Sequence, residues 1–151
     1  MTINQILVTM ALVVFVGVLV LAGIQVYKHQ VYTANQKSLE MDMDNFCAQI
    51  FVYMKTPYVG GGAGQQMSLV KKENLVEFVG FSHVNDPIKK ADYYSIFTNN
   101  GEIRLVNITR NTIVLCGLGK VSNNGNYAKI QSTINLYTYV ITKTMSSAKS
   151  L

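Results

Sequence analysis

Charge is missing from the first 27 residues of this chain: between Met1 and Tyr27 there is no Asp, Glu, Lys or Arg. Tryptophan is absent altogether. Proline occurs only at Pro57 and Pro87, and histidine only at His29 and His83. Each shortage narrows the function. A catalytic site needs convergent groups, and two distant histidines offer few. Asp42 and Asp44, two apart on a helix, face different sides and make poor paired carboxylates. Cys47 and Cys116 form neither a CxxC pair nor a CxxCH, so motifs for zinc, redox exchange and covalent haem are lacking. In an exported chain these cysteines are candidates for one disulfide; otherwise they are two buried thiols acting as small hydrophobes. The 13 Lys and Arg outnumber the 8 Asp and Glu, for a net charge of +5, but they are scattered and build no nucleic-acid patch. The expectation is a protein that is not an enzyme, with no catalytic, cofactor-binding or metal-binding residues, no cofactor, and no nucleic-acid partner.

What the opening segment has instead is apolar side chains. Ile6 to Ile24 runs ILVTMALVVFVGVLVLAGI, with Thr9 its one polar residue. At about 1.5 Å rise per residue, such a stretch matches a hydrocarbon layer of about 30 Å. Three readings compete. A cleaved secretory signal suits Val20 and Ala22, but the leading MTINQ lacks the basic residue such signals carry. A plain membrane anchor is long enough, yet the nearest basic residue, Lys28, lies on its C-terminal side and would hold the rest of the chain in the cytoplasm. The third reading is a helix from which a basic leader has been removed. Such a helix leaves the membrane by burying its apolar surface in a bundle of identical helices.

Val26 to Thr56 contains neither proline nor glycine. Leu39, Met43, Phe46, Ile50 and Met54 recur at helical spacing, and Lys37, Glu40, Asp44, Gln49 and Lys55 occupy the other side. One helix is therefore expected over residues 1–56, apolar all round over 1–27 and amphipathic over 28–56. It should be about 80 Å long and end before Pro57. Gly17 and Gly23 are either tolerated small residues or places of close helix approach. Residues 57–67 form a glycine-rich connector. With no following Lys-Ser/Thr and no preceding strand, that connector does not fit a phosphate loop; a flexible link or a close-packed subunit contact fits better. Residues 68–151 should form a β-rich head. Ser68 to Leu75 is read as a short helix capped by Ser68, and Asn85-Asp86-Pro87 as a turn. Tyr93–Thr98 and Glu102–Ile108 flank the hairpin signal Asn99-Asn100-Gly101. Thr112–Cys116 follows, Gly117–Gly125 supplies turn residues, Tyr127–Thr144 is one long β run, and Ser146–Leu151 is a frayed tail. The sum is an α+β fold in which a long N-terminal helix packs on a four-stranded antiparallel sheet.

This plan resembles the type IV pilins and pseudopilins. More narrowly, Asp44-Asn45-Phe46-Cys47-Ala48-Gln49 through Tyr53, Lys55, Pro57 and Gly60-Gly61-Gly62 looks like a group of pilin-like proteins from Bacteroidota, whose helix ends in a basic residue, proline and a glycine cluster. The resemblance covers about the first 65 residues well and the head in outline. It implies an extracellular helical homopolymer on the cell surface, held in the inner membrane before assembly and served by a pilus assembly machinery. The assembly interface expected for such a filament comprises Met1, Gln5, Val14, Phe15, Val18 and Leu21, with Met1 either a processed, N-methylated terminus or the initiator. The alternative is a membrane-anchored minor pseudopilin or envelope component that forms no bulk fibres. Two departures stand out. Most members carry Glu at the fifth mature position, where this chain has Gln5, and a helix-breaking proline near position 22 is absent.

Overall fold

The computed structural model describes residues 2–86 and 91–149. Its first element, α1, is an unbroken helix of 53 residues, Ile3–Lys55, within two residues of the expected bounds. It stops because Thr56 takes an extended conformation (φ −67°, ψ 130°) ahead of Pro57. Leu39, Met43, Cys47, Ile50, Tyr53 and Met54 are fully buried, so the apolar stripe is real and wider than Leu39–Met43–Phe46–Ile50–Met54 alone.

The head is a six-stranded antiparallel meander in which every strand pairs with its sequence neighbour. Its strands are β1 Ser82–Asp86, β2 Ala91–Phe97, β3 Gly101–Ile108, β4 Thr112–Asn123, β5 Asn126–Asn135 and β6 Val140–Ala148. The expected four strands therefore become six. β1 was not anticipated. β4 continues through the stretch expected to turn after Cys116, and the run from Tyr127 to Thr144 divides into β5 and β6. It divides at Asn135, whose side-chain carbonyl accepts the Tyr137 and Thr138 N–H groups at 2.9 and 3.1 Å and turns the chain. Ser146 to Ala148 is strand, not tail. Of the expected turn at Asn85-Asp86-Pro87, Pro87 lies outside the described residues.

Strand alternation points Ile103 and Leu105 of β3, Ile113 and Leu115 of β4, and Ala128, Ile130 and Ile134 of β5 at the buried stripe of α1. Two glycines let the helix approach β4: a Cβ on Gly117 would meet Met43 Sδ at 3.1 Å, and one on Gly119 would meet Asn35 Oδ1 at 2.6 Å. A second helix, α2 Lys72–Val79, packs against α1 and ends at Gly80, which adopts the left-handed conformation (φ 86°). It lies four residues beyond the expected start, and Lys71 rather than Ser68 precedes it; Ser68 falls in a 3₁₀ turn, Met67–Leu69.

Candidate functional site

The sequence placed function on the N-terminal helix, and the structure gives that helix an unusual setting. Residues 2–30 are exposed on every side, and burial of α1 against the head begins at Val31. The tip of the β4–β5 hairpin, Asn123 and Asn124, reaches down beside Gln25 and Lys28. What projects beyond that tip is the uncharged apolar segment. It is long and apolar enough to cross a membrane, by length and composition.

Among the residues singled out, Val14, Val18 and Leu21 sit at i, i+4 and i+7 and share one face, with Phe15 on its flank. Each is more than half exposed, Phe15 at 61%. Gln5 does not join them. Nine residues before Val14, it lies about half a turn around the helix axis. Its side-chain oxygen accepts the Thr2 N–H at 3.1 Å, so it caps the first turn of its own helix. Met1 lies outside the described residues. No feature of the amphipathic half competes with this surface. Asp42 and Asp44 engage different partners, Asn100 Nδ2 at 2.9 Å and Lys143 Nζ at 2.6 Å, and do not converge. No group of three or more His, Cys, Asp or Glu close enough to hold a metal occurs among the described residues.

Two features fix how the head sits on α1, and sequence reasoning missed both. Lys143 of β6 reaches across the edge of the sheet to Asp44 at 2.6 Å and Glu40 at 3.2 Å. Burial pulls its pKa down, but hydrogen bonds to Asp44 and Glu40, and their charges, more than offset this and leave it raised. The acidic pair at i, i+4 was the available signal, since two like charges so placed repel each other and a nearby cation relieves that. Higher on the helix, Asn35 donates to the Asn100 carbonyl at 2.8 Å and accepts the Val121 N–H at 3.2 Å.

Cys47 and Cys116 are free thiols, not a bridge. Cys47 lies in the helix–sheet core. Cys116 alternates with the inward-facing Leu115 and Gly117 and therefore occupies the opposite side of the sheet, in register with Arg104. A covalent bond between them would have to cross the sheet. Burial, then the Asp44 charge, drives the Cys47 pKa up to about 11 against weaker opposing effects of Lys143 and Ser132.

The glycine-rich stretch, expected as a flexible link or a subunit contact, is wound onto the end of α1. Ala63, Gly64 and Gln65 N–H groups donate to the carbonyls of Tyr53 (3.0 Å), Thr56 (2.8 Å) and Met54 (2.7 Å), satisfying groups that a helix end leaves open. In comparisons with protein-family models, curated proteins and solved structures, nothing matches this chain.

Proposed function

We propose that this chain is the structural subunit of an extracellular type IV pilus-like filament, held in a membrane by its N-terminal helix until identical helices bundle. One observation carries the reading: an uncharged apolar helix segment projects free of a folded head, with no surface among the described residues to cover it. Water exposure of that segment is costly. Burying each Val, Leu, Ile or Phe side chain stabilises by roughly 1.5–3 kcal/mol. A lipid layer satisfies the segment one copy at a time, and a bundle satisfies it permanently. Because every copy offers the same helix and the same head, contacts that do not close produce a helical fibre. Gln5 suits this role without a charged neighbour, because it is neutral and already bonded to Thr2.

A second reading keeps the chain in the membrane as a minor pseudopilin or envelope component. It rests on the match between the projecting apolar length, Ile6 to Ile24, and a hydrocarbon core of about 30 Å.

The test is to shear surface material from producing cells and image it by electron cryo-microscopy, with wild type beside Phe15→Lys. The fibre reading expects thin fibres with a core of bundled helices. It also expects their loss in the variant, since a lysine in a bundle core has no partner charge, while the head melts unchanged. A chain that stays wholly in the membrane fraction, with no fibres from wild type, defeats the fibre reading in favour of the anchor.

A further inference from the structure

At the end of α1 remote from the projecting segment, the wound connector and α2 enclose a cleft of about 500 Å³, open to solvent. It is lined by Tyr58, Val59 and Gly61 from the connector and by Asn74, Glu77 and Phe78 from α2. The three α2 residues stand at i, i+3 and i+4 and so share one helix face. Phe78 is backed by Tyr53, edge to face at 5.3 Å between ring centres. Tyr58 and Val59 are 61% and 99% exposed. They are held out by a backbone that has little freedom, because the Gly60 and Gly62 N–H groups both donate to the Pro57 carbonyl, at 2.9 and 3.2 Å.

We propose that this cleft binds a neutral pyranose oligosaccharide, whose apolar ring face lies on Tyr58 and Phe78 and whose hydroxyls meet Asn74 and Glu77. The lining dictates the ligand class. Two aromatic side chains offer flat apolar area of the kind that a pyranose C–H face covers. Asn74 supplies both donors and an acceptor, and the Glu77 carboxylate accepts from two hydroxyls. Among the described residues Glu77 is also the one charged member of the lining, so phosphates, sulfates and acidic sugars meet repulsion there. The volume falls within the ordinary range for small-molecule sites, about 300–1,000 Å³. An open cleft also admits a sugar that continues as a longer chain beyond it. The proposal does not rest on the fibre reading, because the cleft stands at the far end of the head whether the apolar helix lies in a lipid layer or a bundle.

The experiment uses the full chain in a detergent without a sugar headgroup, since a maltoside would compete. Calorimetric titration with cellotriose, chitotriose and maltotriose is compared with titration of a sialylated trisaccharide. Saturable binding of at least one neutral sugar is expected, with none of the sialylated one. Tyr58→Ala, at an exposed side chain, should weaken binding by about tenfold. Phe97→Ala, an exposed aromatic residue on β2, should leave it unchanged. The proposal is overturned if none of the three neutral sugars binds saturably, or if binding survives Tyr58→Ala intact. It is also overturned if sedimentation shows the head associating through this face in the absence of sugar and Val59→Glu abolishes that association. In that case the occupant is a second copy of the chain.

Discussion

Asn35 on α1 occupies the space that a side chain on Gly119 would need: its Oδ1 lies 2.6 Å from where a Cβ on Gly119 would stand. The same amide bridges two chain segments, the Asn100 carbonyl of the β2–β3 turn and the Val121 N–H of β4. β4 is irregular there, with its pairing to β5 shifting between Leu118 and Ser122, so Asn35 completes hydrogen bonding that the ladder does not. Gly119→Ala should therefore cost about 1–3 kcal/mol. Asn35→Ala should cost about 1–3 kcal/mol by stranding the part-buried Val121 N–H, while the Asn100 carbonyl keeps the Lys120 N–H at 2.8 Å. Because both changes disrupt one junction, the double variant should lose less than the sum of the singles. Chemical denaturation of the three variants checks this.

The clasp between Lys143 and the pair Glu40 and Asp44 makes a pH-dependent contribution whose sign is fixed. The Lys143 pKa is raised in the folded state, so its stabilisation is present in full below the unfolded lysine value of about 10.4. It is lost as pH rises through the higher folded value. Asp44 is half exposed and Lys143 about a quarter exposed, so solvent screening limits the contribution to about 0.5–1 kcal/mol. Denaturant midpoints for wild type and Lys143→Met should differ at pH 7 and converge as pH rises past the raised folded lysine value. The difference at pH 7 should also shrink in 1 M salt.

Glycines of the same chain should respond in opposite ways. A Cβ on Gly62 would collide with the Thr56 carbonyl. Gly62→Ala must therefore loosen the connector from the end of α1, at about 1–3 kcal/mol. Around Gly17 and Gly23 nothing lies within 4 Å, so Gly17→Ala and Gly23→Ala should leave the melting of the head unchanged. Thermal unfolding followed by circular dichroism separates the two groups.

Both thiols should resist alkylation. Burial raises the pKa of Cys116 as well as that of Cys47, which keeps the reactive thiolate scarce. At pH 8 iodoacetamide should modify neither in the native chain and both in denaturant. Electrophoretic mobility should be the same with and without reductant. Modification of Cys116 under native conditions would show that the outer face of the sheet opens locally.

The helix was the most legible part of the sequence because its signals are local: an apolar run, a periodic stripe and a proline stop. The hairpin at Asn99-Asn100-Gly101 was legible for the same reason, and Thr98 and Gly101 close it with a hydrogen bond of 2.8 Å. The misreadings share a different cause. Gly117 and Gly119 look like turn residues but are strand residues kept small by Met43, Leu39 and Asn35, contacts that link positions some 80 apart in the chain. β1, Ser82–Asp86, has little strand-forming composition and is defined by its register with β2. Asn135 was a turn signal hidden in a run of good strand formers. For the cleft, the glycine cluster was visible, but that it winds tightly and lifts Tyr58 outward depends on hydrogen bonds to carbonyls at the end of α1 and to that of Pro57.

That α1 runs unbroken from Ile3 to Lys55 decides how this molecule bears force. A pull on the head against a held N-terminus is transmitted along one rod, with no hinge of proline between the two halves. It reaches the head as shear across the α1–sheet contact. Asn35, Glu40 and Asp44 anchor that contact over about 14 Å of helix, together with the buried stripe behind them. Attachments spread along the direction of load yield together rather than one after another. The chain is therefore built so that its head resists being dragged off its helix more strongly than it resists being peeled away sideways from the β6 edge.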